Sequence, residues 1–140
     1  MDSAAVENLA HRFIQVWKVG HIHLIDELAA SDLVVSYPHF PEPLHGPEAF
    51  KDMLQHTHHA FPDLTIAVDD ILAETDRAVV AWRYQGTHQA GELFGVEPSG
   101  QSVEVTGMTR YHMADGRVLR ETGIVDNLSL MRQLGAEPSS

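Results

Sequence analysis

The sequence predicts an α+β fold, on three observations. Apolar residues recur at helical spacing up to Phe61, four β-rich segments follow Pro62, and polar turns of hairpin type separate them. Helices first and strands afterwards is not the alternating order of a parallel sheet, so the strands are expected to pair mainly antiparallel.

From Val6 to Trp17 the apolar residues Val6, Leu9, Ala10, Phe13, Ile14 and Trp17 step by three and four, which puts them on one face of an amphipathic helix that Gly20 ends. Ile22, Ile25, Leu28 and Ala29 repeat that spacing in a short second helix. Leu33–Tyr37 reads as a strand, stopped by Pro38, Pro41 and Pro43. Gly46-Pro47-Glu48 opens a third helix: Pro47 sits in the first turn, where no N–H bond is lost, and Phe50, Met53, Leu54 and Thr57 form the buried stripe. Strands then cover Leu64–Glu74, Ala78–His88, Ser102–Met113 and Val118–Val125. Glu74–Arg77 and Ala114–Arg117, the second with an Asp-Gly pair, are tight turns, whereas Ala90–Gly100 is a longer loop rich in Gly. Asn127–Leu134 closes the chain as a short helix ended by Gly135.

A chain of 140 residues, 44% of them apolar, can bury one substantial core, so a single domain over residues 1–140 is expected. No apolar run approaches the roughly 18 residues of a membrane span, and Met1-Asp2-Ser3 opens no basic or apolar leader. A cytoplasmic protein is the expectation. The absence of cysteine excludes thiolate catalysis and Cys-ligated metal. Nine basic against twenty acidic residues, a net charge of −11, make nucleic acid and anionic membrane poor partners. Ten histidines include His21-Ile22-His23 and His56-Thr57-His58-His59, yet no third ligand of matching spacing follows and HExxH is absent. Neither a metal nor another cofactor is expected.

Three sets of residues carry a family resemblance: Leu44-His45-Gly46-Pro47-Glu48-Ala49-Phe50; Gly86-Thr87-His88 followed by Gly91 and Gly95; and Asp115-Gly116-Arg117-Val118 leading to Asp126 and Gln133-Leu134-Gly135. In this order and spacing the chain resembles the SnoaL-like polyketide cyclases, or ester cyclases, of the nuclear-transport-factor-2-like superfamily. The resemblance implies a cone-shaped α+β barrel, with N-terminal helices packed on a curved, mainly antiparallel sheet around a deep pocket for a hydrophobic small molecule. It also implies a homodimer or homotetramer formed through the sheet. The chemistry it implies is an intramolecular aldol ring closure without metal or cofactor. An Asp near the end of the last strand removes a C–H proton, and a neighbouring His assists at oxygen; the matching residues are Asp126 and His112. Where relatives often carry Trp four residues before the Asp, this chain has Thr122, which would widen the pocket or change its polarity.

Strand parity bears on the same site. Arg120, Thr122 and Ile124 share a face that leads to Asp126, and Thr106, Met108, Arg110 and His112 share a face of the preceding strand. With the resemblance, these faces are expected to line the pocket, Met108, Arg110 and Thr122 as substrate contacts and Arg110 as a donor to enolate oxygen or a partner to Asp126. Hydrophobicity alone would instead bury Val103, Val105, Tyr111 and Met113. Desolvation would raise the pKa of Asp126 and suit it as a base, but just before Asn127–Leu134 it equally suits an N-cap worth about 1 kcal/mol. His112, beside a turn, reads equally as an exposed strand residue. Tyr37 and His39 follow the first strand, where cone-shaped relatives point polar groups at the ligand. Trp82 and Tyr84 share a strand face and offer apolar area with polar handles. The expected function is a cyclase or isomerase acting on a carbonyl-bearing metabolite such as a polyketide. The alternatives are a noncatalytic small-molecule-binding domain, a ketosteroid-isomerase-like enzyme and an epoxide hydrolase on the same fold.

Overall fold

In the computed structural model, which describes residues 1–136, helix α1 (Ser3–Ile14) begins ahead of its apolar stripe. Asp2 caps it, accepting the Ala5 N–H at 2.7 Å. Val6, Leu9, Ala10, Phe13 and Ile14 are its buried face, and a 3₁₀ turn (Gln15–Trp17) carries the stripe on to Trp17. Helix α2 (Leu24–Leu28) is shorter than its periodicity predicts, because Ala29 already belongs to strand β1 (Ala29–Ser36). The two-residue strand β2 (Leu44–His45), which the proline-rich loop concealed, pairs with β1 and leads through Gly46, at φ 89°, into α3 (Pro47–Ala60). That positive φ is one that residues with a Cβ seldom adopt.

Strands β3 (Thr65–Ala73), β4 (Arg77–Thr87), β5 (Ser102–Ala114) and β6 (Arg117–Val125) follow, then α4 (Asn127–Leu134). They form one sheet in the order β2-β1-β6-β5-β4-β3. Neighbours are antiparallel except β1 and β6, which run parallel and bring Val35 beside Glu121. The helices α1 and α3 cover one face. Phe13 packs edge-on against Tyr111 with ring centroids 5.6 Å apart, and Phe50 against Trp17 at 5.7 Å. The sheet's inner face is thereby set: Val80 and Trp82 on β4, Val103, Val105, Thr109, Tyr111 and Met113 on β5, Val118 and Glu121 on β6. At the C-terminus Asp126 caps α4 and Gly135, at φ 86°, ends it.

Candidate active site

Between α3 and the inner face of the sheet lies a cavity of about 260 Å³. Trp17 from the 3₁₀ turn, Met53 and Thr57 from α3, and Trp82 and Tyr84 from β4 form its walls. The loop before β5 adds Leu93 and Phe94, and His39, His56 and Asn127 are the polar side chains at its edge. Trp82 and Tyr84 stack at 5.9 Å with planes 21° apart, as same-face neighbours on a strand can. Small residues beneath make room for these rings. A Cβ on Gly107 would overlap the Trp82 indole, and one on Gly123 would overlap the Tyr37 ring.

Both indoles point their N–H away from the cavity into a buried polar cluster. Trp17 Nε1 donates to Glu121 Oε2 at 3.1 Å, and Tyr37 Oη donates to the same oxygen at 2.7 Å. Trp82 Nε1 donates to Thr109 Oγ1 at 2.9 Å, and Tyr37 Oη lies 2.9 Å from that hydroxyl. Glu121 is 0% exposed, and among the described residues neither its Oε1 nor the hydroxyl of Tyr111, its cross-strand neighbour, has a hydrogen-bond partner. Desolvation pushes the Glu121 carboxyl up to about 7 against the lowering pull of Tyr37, Trp17 and Tyr111. Burial raises the phenol of Tyr37 well above its ordinary value, with Glu121 adding to the effect. At the edge of the cavity His39 is exposed, and the burial of part of its ring lowers the imidazole; burial alone raises the phenol of Tyr84.

The family model for the SnoaL-like polyketide cyclases matches residues 7–134. The chain belongs to that family. Among solved structures it is similar to a protein of Jannaschia sp. CCS1 assigned as a SnoaL-like polyketide cyclase, at 25% identity and TM-score 0.84 over 97% of this chain and 95% of that one. It is similar to IdmH of Streptomyces antibioticus, assigned as a polyketide cyclase, at 27% identity and TM-score 0.78 over 91% and 99%. AclR of Streptomyces galilaeus, assigned as a hydroxylase, matches at 25% identity and TM-score 0.84 over 99% and 89%. No curated protein matches the sequence. The cone-shaped α+β architecture with its mainly antiparallel sheet is that of these neighbours.

Within this family fold, the residues expected at the site divide in two. His39, Trp82 and Tyr84 line the cavity, and Tyr37 lies buried in the polar cluster beneath it. Met108, Arg110 and Thr122 do not reach it, a correction to the expected parity: they are exposed on the outer face, because helices α1 and α3 bury the opposite, more apolar face of β5. Asp126 and His112 are not a pair. The Asp126 N–H donates to Thr106 O, six residues along β5 from His112, about 20 Å of strand. The exposed Asp126 carboxylate accepts the Ser129 N–H at 3.1 Å as the cap of α4. His112 lies in register between Arg77 and Arg120 on the outer face.

Sequence reasoning missed Glu121, Thr109 and Asn127. Parity held the signal for Glu121: once Tyr111 is placed inward with Val103 and Val105, its cross-strand partner must face inward too. Among the described residues no three His, Cys, Asp or Glu side chains gather as a metal-binding group, and no helix is long and apolar enough to cross a membrane. Two histidines of the His56–His59 run meet backbone carbonyls: His56 Nδ1 lies 2.8 Å from Asp52 O, and His58 Nε2 lies 2.7 Å from Trp17 O.

Proposed function

We propose that the chain is a cofactor-independent cyclase that closes a ring by intramolecular aldol addition in a hydrophobic, carbonyl-bearing metabolite such as a polyketide, with His39 as the base in place of Asp126. The observation that carries this reading is the placing of His39 and Tyr84, an imidazole and a phenol, on a cavity whose walls are mainly apolar and aromatic. With its pKa lowered by desolvation, His39 is neutral at pH 7 and able to accept a proton. Tyr84, held protonated by burial, and the Asn127 amide are donors suited to an oxygen that gains negative charge.

In the proposed reaction His39 takes the proton from the carbon between two carbonyls, leaving an enolate. The enolate carbon attacks a second carbonyl of the same molecule, one C–C bond forms, and the alkoxide recovers the proton from the imidazolium. Substrate and product have the same atoms, so no co-substrate is consumed. Family membership and the aromatic walls support this chemistry over other uses of the fold. The test is ring closure of a linear β-polyketone methyl ester by wild type and His39→Asn. The variant is expected to bind the ester while turning over roughly 10²- to 10⁴-fold more slowly. Undiminished turnover by His39→Asn ends the base assignment, and binding without turnover by wild type favours a noncatalytic binding domain.

The homodimer or homotetramer that the family resemblance implies would form on the outer face of the sheet, where Leu72, Met108 and Ile124 lie exposed. This proposal rests on those apolar side chains.

A further inference from the structure

Glu121 takes no part in the reaction proposed above, yet the cavity wall hangs on it. We propose that Glu121 is a positioning residue: by holding the Trp17 indole and the Tyr37 hydroxyl on a single carboxylate oxygen, it sets how firmly the cavity wall is fixed and so how tightly an uncharged ligand binds. The inference rests on the reading that the ligand occupies this cavity.

Three separate stretches of chain converge on the carboxyl group: the 3₁₀ turn with Trp17, the end of β1 with Tyr37, and β5 with Tyr111 opposite. Trp17 is itself a cavity wall, and Tyr37 stands two residues before His39, with ring centroids 5.8 Å apart. Holding one oxygen between two donors therefore orients both the wall and the segment that carries His39. An ionised carboxylate makes these bonds charge-assisted and roughly twice as strong as their neutral counterparts. Protonation turns one carboxyl oxygen into a donor and weakens the grip on the indole.

Burial puts that exchange within reach of neutral pH. The titratable groups facing the carboxyl are the Tyr37 and Tyr111 phenols, both raised by burial, so neither supplies a competing charge near pH 7. The helices packed over the cluster present Phe13 and Phe50. On the other side of Trp17, His58 of α3 meets its carbonyl, and burial lowers that imidazole.

The chain supplies its own reporter, because its two tryptophans are Trp17 and Trp82, and both donate into this cluster. Tryptophan emission of the whole chain without ligand, followed from about pH 5 to 9, is expected to show one transition centred near 7. Glu121→Gln keeps an acceptor oxygen and should abolish the transition. Tyr37→Phe removes the strongest stabiliser of the ionised form and should move the midpoint upward. Acetylnaphthalene, an uncharged aromatic ketone, is expected to bind wild type about fivefold more tightly above the transition than below it, and Glu121→Gln equally at both ends.

A transition that survives in Glu121→Gln belongs to His58 or another histidine and overturns the proposal. If the Gln variant fails to fold, Tyr37→Phe decides alone, and an unmoved midpoint overturns it. Ketone affinity that ignores pH while emission titrates overturns the positioning role. Failure of the ketone to bind any form would instead count against the proposed ligand class, and loss of aldol activity would count only against the reaction assigned to His39.

Discussion

On the inner face of the sheet, β5 and β6 set Tyr111 opposite Glu121 and Thr109 opposite Gly123. One residue along, on the outer face, the same strands set Arg110 opposite Thr122 and His112 opposite Arg120. The outer row is rich in groups that look catalytic, but water solvates them and their charge changes nothing in the cavity. The inner row holds few polar atoms. Each is desolvated, so each must be hydrogen-bonded or shift its ionisation, as Glu121 does. Chemical influence on the ligand follows the face, and the pleat makes the face change with every residue.

The largest effect that could sharpen this contrast lies at Glu121. Its carboxyl stands near 7 in the folded chain against an ordinary 4.5, so the folded state holds its proton where the unfolded state has lost it. The resulting stability is full below about pH 4.5 and is lost as pH rises through 7, a loss on the order of 3 kcal/mol. Glu121→Gln removes that loss. Urea unfolding of both proteins at both ends of the window should show wild type falling behind the variant as pH rises. A difference that is flat with pH would mean that the carboxyl is not desolvated as its position implies.

The fold was legible because its signals are local and redundant. The stripe from Val6 to Trp17, Pro47 at the start of α3, the Asp115-Gly116 turn and the Gly135 cap each state their element alone. The site was legible in part. His39, Trp82 and Tyr84 come from segments whose placement follows from the order of elements. The face of β5 and β6 did not follow from local pattern, since both parities of β5 carry large side chains, and following the match at Asp126 placed the wrong one inward. Hydrophobicity pointed to Val103, Val105, Tyr111 and Met113, and that face is the buried one. β2 was hidden for another reason: two residues are too few to carry a period.

A smaller effect separates the roles weighed for Asp126. Its carboxylate is spent on the Ser129 N–H, so Asp126→Ala should cost about 1 kcal/mol. Asp126→Asn, an equally good cap that cannot accept a proton at neutral pH, should be nearly neutral in thermal melts and in turnover. If Asp126→Asn folds like wild type but loses turnover, the base returns to Asp126 and His39 becomes a ligand contact.

The smallest effects on the folded chain are expected on the outer face, and there the contrast is most open to attack. Met108 is 59% exposed and Ile124 66%, and they lie opposite one another in register, with Arg110 and Thr122 as the next pair. Removing the charge of Arg110 leaves no buried group without a partner, so Arg110→Ala should change stability by no more than about 0.5 kcal/mol and leave ring closure unchanged. Ile124→Asp should be as mild for the fold of one chain, yet it sets a carboxylate beside the exposed Met108. If copies meet through Met108 and Ile124, light scattering will show the wild-type oligomer giving way to monomer, since a charge left unpaired against apolar side chains in an interface costs far more than one in water. Unchanged mass would place the contact elsewhere. Loss of turnover in Arg110→Ala with the oligomer intact would break the contrast itself, because a side chain on the solvated face would then be acting on a ligand held behind the sheet.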